Sequence, residues 1–250
     1  MNKSKIFIVI PAYNASATIE KVFARIPNEI KSSIERYVVV DDGSTDDTAT
    51  VLTRICRAFP NLAILKHKTN CGYGAAEKTL LAYALKEGAE TVVLLHADGQ
   101  YSPEKLSAML APFENGEADL VQGSRMLNGG ALQGGMPIYK YIGNKCLTAI
   151  ENASFSMRLA EYHSGYMAYS RKLLLAIPFE GLSDSFDFDF EMIICAKILG
   201  LKIKEIAIPT IYAGEKSHLN PVKYGFDVLA NVLKYRKGHY HALLKRGAKQ

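Results

Sequence analysis

Three side chains that can bind a divalent cation lie at the end of the fourth predicted strand, Thr91 to Ala97, or just after it. They are His96, Asp98 and Gln100, which carry an imidazole, a carboxylate and an amide oxygen. If the chain stays extended, alternation puts all three on the same side. Ligands of parallel sheets bind at the carboxyl ends of strands. The residues therefore indicate either a site for a diphosphate and its metal, or a polar strand end where Asp98 caps a turn.

Polar residues also follow the first and second predicted strands. Pro11-Ala12-Tyr13-Asn14 ends the first strand, where Tyr13 can stack on a base or simply form a turn. Asp41-Asp42-Gly43 ends the second, and a carboxylate there can accept a hydrogen bond from a base or a ribose. An Asp-Gly-Ser turn is the structural alternative. We expect one of these two aspartates to contact a ligand and the other to serve the turn.

A glycine-containing segment, Gly72-Tyr73-Gly74-Ala75-Ala76, begins a predicted helix. It is a poor dinucleotide-binding fingerprint, because it does not follow the first strand and Glu77 replaces the last small residue. A NAD enzyme is therefore disfavoured, and the lack of a GxxxxGK[ST] motif disfavours a P-loop NTPase. We expect this helix start to approach a ligand closely, with Lys68 as a phosphate or base partner.

Acidic residues alternate with phenylalanines in the segment Phe186-Asp187-Phe188-Asp189-Phe190, and Glu191 follows it. In an extended segment the acids would share one face. Their mutual repulsion would then raise the pKa of one carboxyl group, which suits acid–base catalysis. A solvated acidic turn ahead of a helix is the alternative.

Composition restricts the class of protein. The chain has 250 residues, is 48% hydrophobic and 22% charged, and is typical of a globular protein. It contains no apolar run of about 18 residues and no plausible signal peptide. Four scattered cysteines without a CxxC pair predict free thiols in a reducing compartment.

Positive charge is concentrated at the carboxyl end. The net charge is +5, and residues 228–250 hold six Lys or Arg and no Asp or Glu, with Tyr and Leu interleaved. Such a tail can lie on an anionic membrane surface or be an ordinary solvated tail. No nucleic-acid-binding motif is present, so we expect no nucleic acid partner.

Apolar runs alternate with amphipathic helical patterns through the first half of the chain. This order predicts an α/β fold with a mostly parallel central sheet and helices on both faces. Residues 126–137 contain four glycines and are expected to form a mobile functional lid or a disordered loop. We divide the chain into one domain, residues 1–220, and a carboxyl-terminal helix with a basic tail, residues 221–250.

The motifs PAYN, VDDGSTDDT, NCGYGAA, LLHADGQYSP and QGSRM, in this order and spacing, resemble those of family 2 glycosyltransferases. Within that family the pattern is similar to the dolichyl- or polyprenyl-phosphate mannose or glucose synthases. The resemblance covers about residues 5–215. It implies a GT-A fold, a GDP- or UDP-sugar donor, a divalent metal cofactor (Mn²⁺ or Mg²⁺), and inversion at the anomeric carbon.

The resemblance also assigns roles to individual positions. The residues that it implies for nucleotide-sugar binding are Pro11, Ala12, Tyr13, Asp41, Lys68, Gly72, Ala97 and Asp98. His96, Asp98 and Gln100 would bind the metal. Arg125 would face the phosphates or the acceptor and act in catalysis, and Lys216 is a further candidate for the acceptor or a phosphate.

Three positions depart from the family pattern. His96 stands where the metal motif commonly has Asp, which favours Mn²⁺ over Mg²⁺. Ala15 stands where the polyprenyl-phosphate branch often has Glu. Met167 replaces an Arg of that branch, which weakens the inference of a phosphate-bearing acceptor.

The expected reaction is a single displacement on the nucleotide sugar. A hydroxyl acceptor needs a general base, for which Asp189 is the first candidate and Glu191 the second. A phosphate acceptor, most plausibly a polyprenyl phosphate, is already ionised and needs none. The alternatives are transfer to a soluble or glycan hydroxyl, a sugar-1-phosphate nucleotidylyltransferase, and a catalytically silent nucleotide-sugar-binding protein. We expect a cytoplasmic protein, peripheral on the membrane when its acceptor is a lipid.

Overall fold

A seven-stranded mixed sheet forms the centre of the fold. The computed structural model describes residues 5–209 and 221–247. The strands are β1 (Ile6–Ala12), β2 (Ile34–Asp41), β3 (Leu62–Lys66), β4 (Thr91–Leu94), β5 (Leu120–Ser124), β6 (Met167–Ser170) and β7 (Ile203–Ala207). Their order in the sheet is β3-β2-β1-β4-β6-β5-β7, and only β6 runs antiparallel to its neighbours among these strands. The predicted α/β fold with a mostly parallel sheet is confirmed.

Eleven α-helices connect or follow these strands in the described ranges. They are α1 (Ile19–Ala24), α2 (Asn28–Lys31), α3 (Thr48–Ala58), α4 (Tyr73–Lys86), α5 (Leu106–Glu114), α6 (Gly130–Gln133), α7 (Ile138–Phe155), α8 (Arg171–Ala176), α9 (Phe188–Ile198), α10 (Pro221–Arg236) and α11 (His239–Gly247). None of the helices described is long and apolar enough to cross a membrane.

The sheet is buried on both faces, which explains its continuous apolar strands. Phe7 and Val9 of β1 pack with α4, α9 and the carboxyl-terminal helices on one face. Ile8 and Ile10, which alternate with them, pack with α1, α3 and α5 on the other face. Strands covered on both faces carry apolar residues at successive positions, and the run from Ile6 to Ile10 is of this kind.

The two carboxyl-terminal helices are part of the main core. Val228 and Val232 of α10 and Tyr240 and Leu244 of α11 are buried in the same cluster as α4 and α9. The domain boundary that we drew at residue 220 therefore does not separate two hydrophobic cores. The apolar residues of this segment are buried because α11 packs against α9.

The glycine-rich segment is more ordered than the sequence predicts. Residues 127–129 form a short 3₁₀ turn that leads into α6. Ala131 is fully buried and packs with Met126 and Met136 in a small separate cluster. The expectation of a disordered loop is wrong, because these three apolar side chains provide a local core for the segment.

Two glycines at the start of α4 allow another part of the backbone to approach closely. Gly74 donates its N–H to the Asp184 carbonyl oxygen over 3.0 Å. A Cβ atom on Gly74 would lie 2.5 Å from the Ser183 oxygen, and one on Gly72 would lie 2.7 Å from the Asp184 oxygen. Gly72 also has a φ of +99°. These glycines therefore serve chain packing against residues 183–184, and their close approach to a ligand stays a prediction.

Replacing Gly74 by Ala should destabilise the fold. We expect Gly74→Ala to lower the free energy of unfolding by about 1–3 kcal/mol, because a methyl group would collide with backbone atoms that cannot move independently. Urea denaturation measures this change.

Gly143, in the interior of α7, is the matched control. A Cβ atom there meets nothing within 4 Å, so Gly143→Ala should raise the free energy of unfolding by up to about 1 kcal/mol through helix propensity. A Gly74→Ala protein as stable as the wild type would contradict the packing argument.

Candidate active site

Parallel pairing brings the carboxyl ends of β1, β2 and β4 to one edge of the sheet. Ala12 is paired with Asp41, and the Asp42 N–H donates to the Ala12 oxygen over 2.8 Å. On the other side of β1, the Leu95 N–H donates to the Val9 oxygen over 2.9 Å. The three strand ends that the sequence singles out are therefore neighbours.

The end of β1 is tied to the loop after β2 by Asn14. Its N–H donates to the Ser44 hydroxyl over 2.9 Å, and its side-chain oxygen accepts from the Thr45 N–H at the same distance. Asn14 has a φ of 49°. Tyr13 beside it is 49% exposed, whereas Ala12 is buried and offers a ligand only its backbone. The exposed Tyr13 ring is thus free of the core at the edge where the strands end.

Asp41 and Asp42 are both buried and both hold backbone groups. Asp41 Oδ1 accepts the Ser44 N–H over 2.9 Å, as expected for the residue that serves the turn. Asp42 accepts the N–H groups of Cys71 and Gly72 and also faces His67. The structure thus gives a structural role to each aspartate, and contact of Asp41 with a nucleoside stays a prediction.

The segment after β4 does not stay extended, so the expected alignment of His96, Asp98 and Gln100 on one side is wrong, whereas their role in metal binding stays a prediction. The strand ends at Leu94, and a turn follows in which Asp98 Oδ1 accepts the Gln100 N–H over 2.9 Å. Gly99 in this turn has a φ of +77°. Asp98 and Gln100 are exposed, whereas His96 is half-buried.

His96 points into the protein rather than towards the exposed strand edge. Its Nε2 lies 3.0 Å from the Gly165 oxygen and 2.9 Å from the Tyr73 hydroxyl. Because a carbonyl oxygen only accepts, Nε2 carries the proton in this arrangement. That nitrogen is therefore not available as a metal ligand.

The remaining residues at this edge fit a hard cation. Asp98 and Gln100 offer oxygen donors, and Mg²⁺ or Mn²⁺ is commonly bound by one or two carboxylates together with phosphate oxygens. Among the residues described, no imidazole, thiol or second carboxylate joins His96 and Asp98 to form a group of three. A cation here would thus depend on oxygen atoms from a diphosphate for much of its coordination.

A network of buried hydrogen bonds lies beneath His96. The Tyr73 hydroxyl donates to Asp189 Oδ2, and the Tyr169 hydroxyl donates to Asp189 Oδ1, each over 2.9 Å. Burial raises the pKa of Asp189, although these hydrogen bonds oppose the shift. Asp189 is thus a buried acceptor that orients Tyr73, which in turn contacts His96.

Glu77 of α4 is the second carboxyl group of this network. It is fully buried, and neither of its oxygens makes a well-formed hydrogen bond with the described residues. Burial, and then the nearby Asp189 carboxyl, raises the pKa of Glu77 well above its ordinary value. Glu77 therefore keeps its proton to a higher pH than an ordinary glutamate does.

The interpretation of residues 186–190 as extended is wrong, because α9 begins at Phe188. Both Asp189 and Glu191 are buried, whereas Phe186 is half-exposed and stacks on Tyr73 at 5.3 Å. The acids therefore face the core and not a solvated surface.

Glu191 has structural hydrogen-bond partners, and its role as the second candidate general base stays a prediction. Its Oε2 accepts the Ser183 N–H over 2.7 Å, and its Oε1 accepts the Tyr240 hydroxyl of α11 over 2.9 Å. Burial raises the pKa of Glu191. With both oxygens engaged, Glu191 joins α9 to α11 and to the segment that covers Gly74.

Arg125 is paired with a buried carboxylate. Its guanidinium donates to Glu161 Oε1 and, over 2.7 Å, to the His163 oxygen. Burial, the largest influence, raises the pKa of Glu161, but the charge of Arg125 and the hydrogen bonds that Arg125 donates together lower that pKa below its ordinary value. About 20% of the Arg125 side chain remains exposed. Glu161 is thus a partner that orients Arg125, and contact of Arg125 with a phosphate or the acceptor stays a prediction.

The other predicted residues are less constrained. Lys68 and Pro11 lie at the edge of the sheet, with Lys68 exposed and Pro11 half-buried, and Ala97 is buried. Lys216 lies outside the described residues. The predicted roles of Lys68, Pro11 and Ala97 stay predictions.

Sequence reasoning missed the importance of Gly165. A Cβ atom on Gly165 would lie 2.7 Å from both His96 Nε2 and the Tyr73 hydroxyl. Its N–H donates to the Tyr101 hydroxyl over 2.9 Å, and Tyr101 packs edge-on against His96 at 4.7 Å. The polar, aromatic segment from His163 to Tyr169 was the available signal, but its partner His96 is distant in sequence.

Comparison with known proteins identifies relatives along nearly the whole chain. A family model described as "Glycosyl transferase family 2" matches residues 7–177, more than half of the chain. The uncharacterized protein MJ1222 of Methanocaldococcus jannaschii is 32% identical over 93% of this chain and 93% of its own length. The UDP-N-acetylglucosamine–dolichyl-phosphate N-acetylglucosaminyltransferase of Methanococcus voltae is 28% identical over 93% of this chain and 96% of its own.

A solved structure shares the fold. Glucosyl-3-phosphoglycerate synthase from Mycobacterium tuberculosis, in complex with Mn²⁺, UDP and phosphoglyceric acid, matches with a TM-score of 0.68. The match has 20% identity and covers 94% of this chain and 79% of that chain.

The buried proton on Glu77 should make stability fall as pH rises. The folded state holds this proton at pH values where the unfolded chain releases it, so the stability that it supports is complete below the ordinary Glu pKa and is lost above it. We expect the stability of wild type relative to Glu77→Gln to fall as pH rises above the ordinary Glu pKa, by at most about 1.4 kcal/mol per pH unit, until the pH reaches the raised pKa of the folded protein. Urea denaturation at several pH values between about pH 5 and pH 8 measures the difference.

Glu90→Gln, which changes an exposed glutamate, should follow the wild-type curve. Parallel curves for wild type and Glu77→Gln would show that Glu77 has no raised pKa in the folded protein.

Proposed function

The chain belongs to glycosyl transferase family 2, and we propose that it transfers a sugar from a nucleoside diphosphate to a polyprenyl phosphate at a membrane surface. Membership in this family makes the protein a glycosyltransferase. It therefore disfavours the two alternative functions, a sugar-1-phosphate nucleotidylyltransferase and a catalytically silent nucleotide-sugar-binding protein. The observation that carries the proposal is the match to the M. voltae enzyme, whose name states a dolichyl phosphate acceptor and which aligns over nearly its full length.

The geometry of the strand ends supports a nucleotide-sugar donor. The exposed Tyr13 ring is available to stack on a base, and Asp98 and Gln100 offer oxygen donors one strand away. A divalent cation held by these oxygens would neutralise charge on the departing diphosphate. Lys68 is a further candidate for the phosphates or the base, since it is exposed in the loop between β3 and α4.

A phosphate acceptor agrees with the burial of the acids. A phosphate oxygen is ionised near neutral pH, so it can attack the anomeric carbon without a general base. The bond from that carbon to the diphosphate oxygen then breaks, the nucleoside diphosphate leaves, and the anomeric configuration inverts.

With a phosphate acceptor, Asp189 is a positioning residue for Tyr73 and His96. Arg125 is a candidate contact for the acceptor, because Glu161 orients it and part of its side chain is exposed.

An exposed apolar surface supports a membrane location. On α7, Ile138, Ile142 and Ile150 are exposed on one side of the helix. On α10, which contacts α7, Phe226 and Leu233 are exposed. The described basic residues nearby include Lys145, Arg236 and Lys237. Apolar side chains next to basic ones are typical of helices that bind anionic bilayers. We therefore propose a peripheral location on the cytoplasmic face of a membrane.

The reaction is tested by transfer from radiolabelled UDP- and GDP-sugars in the presence of Mn²⁺ or Mg²⁺. We expect label to enter the organic phase only when a polyprenyl phosphate is supplied. Asp98→Asn should lower this rate by roughly 10²- to 10³-fold, since it removes the carboxylate proposed to bind the cation.

Glu35→Gln is the matched control, because Glu35 is an exposed acid at the opposite end of β2.

Asp189→Asn separates the two acceptor classes. A loss of transfer rate within about tenfold fits a phosphate acceptor, whereas a loss of roughly two to four decades indicates a general base and a hydroxyl acceptor. Transfer to a soluble glycan without any lipid phosphate would refute the proposed acceptor.

The membrane contact is tested by co-sedimentation with vesicles. We expect wild type to bind phosphatidylglycerol vesicles more tightly than phosphatidylcholine vesicles, and less tightly as salt is raised. The double variant Ile142→Glu/Leu233→Glu should bind at least roughly tenfold more weakly, because it replaces apolar contacts by charges that the bilayer repels.

Leu175→Glu on α8 is the control, since Leu175 is equally exposed but lies on another helix. Equal loss in this variant, or no preference for anionic vesicles, would contradict the assignment of α7 and α10 as the membrane surface.

A further inference from the structure

A second group of potential metal ligands lies away from Asp98, between β2, β3 and α4. Asp42 follows β2, His67 follows β3, and Cys71 precedes α4. One ligand atom from each residue lies within 4.8 Å of the others. Asp42 is buried, His67 is half-buried and Cys71 is exposed. We refer to these three residues as the Asp42–His67–Cys71 cluster.

The hydrogen bonds of Thr79 determine which ring nitrogen of His67 carries a proton. The Thr79 hydroxyl donates its hydrogen to the Ala75 oxygen over 3.1 Å. It can therefore only accept from His67 Nε2, which lies 2.9 Å away. In a neutral imidazole with its proton on Nε2, Nδ1 has a lone pair.

That lone pair faces Asp42. His67 Nδ1 lies 2.6 Å from Asp42 Oδ1, so the two atoms are close enough to bind the same ion. A Zn²⁺ bound by both atoms at about 2.0–2.2 Å would hold them further apart than this, so binding requires a small separation of the two side chains. The orientation of His67 by a hydrogen bond from its other nitrogen is the arrangement that metal-binding histidines usually show.

The third ligand indicates what kind of metal fits. Cys71 adds a thiol, and its backbone N–H already donates to Asp42 Oδ1 over 2.9 Å, which keeps the residue beside the carboxylate. A thiolate, an imidazole and a carboxylate are together typical of Zn²⁺ and unlike the oxygen donors that suit Mg²⁺. Exposure of Cys71 leaves the fourth position of a tetrahedral site open to water.

We propose that the Asp42–His67–Cys71 cluster binds one Zn²⁺-class ion, separately from the cation at Asp98. Binding joins the ends of β2 and β3 to the start of α4 and holds the loop of residues 67–72, which contains Lys68. The thiol proton leaves to solvent when the metal–sulfur bond forms, and no oxidation state changes. Because the three ligands converge only in the folded chain, bound metal stabilises the fold.

Spectroscopy with Co²⁺ as a substitute for Zn²⁺ tests the site directly. The untagged, reduced, metal-free protein is titrated with Co²⁺ alone. We expect one equivalent to produce a near-ultraviolet thiolate-to-metal absorption band together with visible bands of tetrahedral intensity, and Zn²⁺ to abolish both. Zn²⁺ should also raise the midpoint of thermal unfolding.

Variants assign the signal to the cluster. Cys71→Ser should abolish the thiolate band and weaken Zn²⁺ binding at least tenfold, and His67→Gln should weaken it similarly. Cys146→Ser, which changes an exposed cysteine on α7, should bind like wild type. Asp98→Asn should still bind one equivalent with the same spectrum. Circular dichroism verifies that each variant is folded.

Other outcomes overturn the proposal. A thiolate band that survives Cys71→Ser or is lost in Cys146→Ser assigns the metal to a different cysteine. Loss of the band in Asp98→Asn shows that the two sites are not separate. If neither Co²⁺ nor Zn²⁺ binds, the contact between His67 and Asp42 is a hydrogen bond and the proposed metal site does not exist.

Discussion

Parallel pairing of β1 with both β2 and β4 is the constraint on which the candidate site depends. Each strand is apolar on both faces, and its carboxyl end emerges at the same edge as those of its neighbours. That register places the ends of β1, β2 and β4 side by side, and Tyr13, Asp41 and Asp98 lie at those ends or a few residues after them. The antiparallel strand β6 adds a segment from the opposite direction. Val93 of β4 pairs with Ala168 of β6, and continuing that register past the strand ends brings His96 opposite Gly165.

The site rests on an unusual concentration of buried acids. Glu77, Asp189 and Glu161 lie in the interior, where an ionised carboxyl group is costly unless it is paired or protonated. Three arrangements lower the free energy of burying these groups. The pKa of Glu77 is raised, so that it keeps its proton to higher pH. Asp189 accepts hydrogen bonds from two tyrosines, and Glu161 is paired with Arg125. Each arrangement orients a residue near the strand ends. These acids therefore position the site at the expense of stability.

The carboxyl-terminal helices combine two properties that the sequence alone does not separate. Val228 and Tyr240 pack into the main core, and Tyr240 is anchored by Glu191 of α9. On α10, Phe226 and Leu233 remain exposed, as do the isoleucines on one side of α7. A helix with apolar residues on two sides is buried on one of them and needs a further partner for the other. The membrane surface proposed here would supply it.

The sequence alone determined the α/β fold class and the positions of β1, β2 and β4, at whose ends we expect a ligand to bind. It could do so because the run from Ile6 to Ile10, the capped helices and the Asp-containing turns are local patterns that act through a few neighbouring residues. The motifs resembling family 2 glycosyltransferases added the enzyme class, which the comparisons confirm.

Only the tertiary structure decided the roles of individual polar side chains. His96 turns inward because Gly165 and Tyr73, both distant in sequence, provide its partners, and Glu191 is structural because Tyr240 reaches it from α11. Gly72 and Gly74 serve packing because residues 183–184 lie against them. A side chain's chemistry depends on which distant groups share its hydrogen bonds and exclude water from it, and those groups become neighbours only when the chain folds.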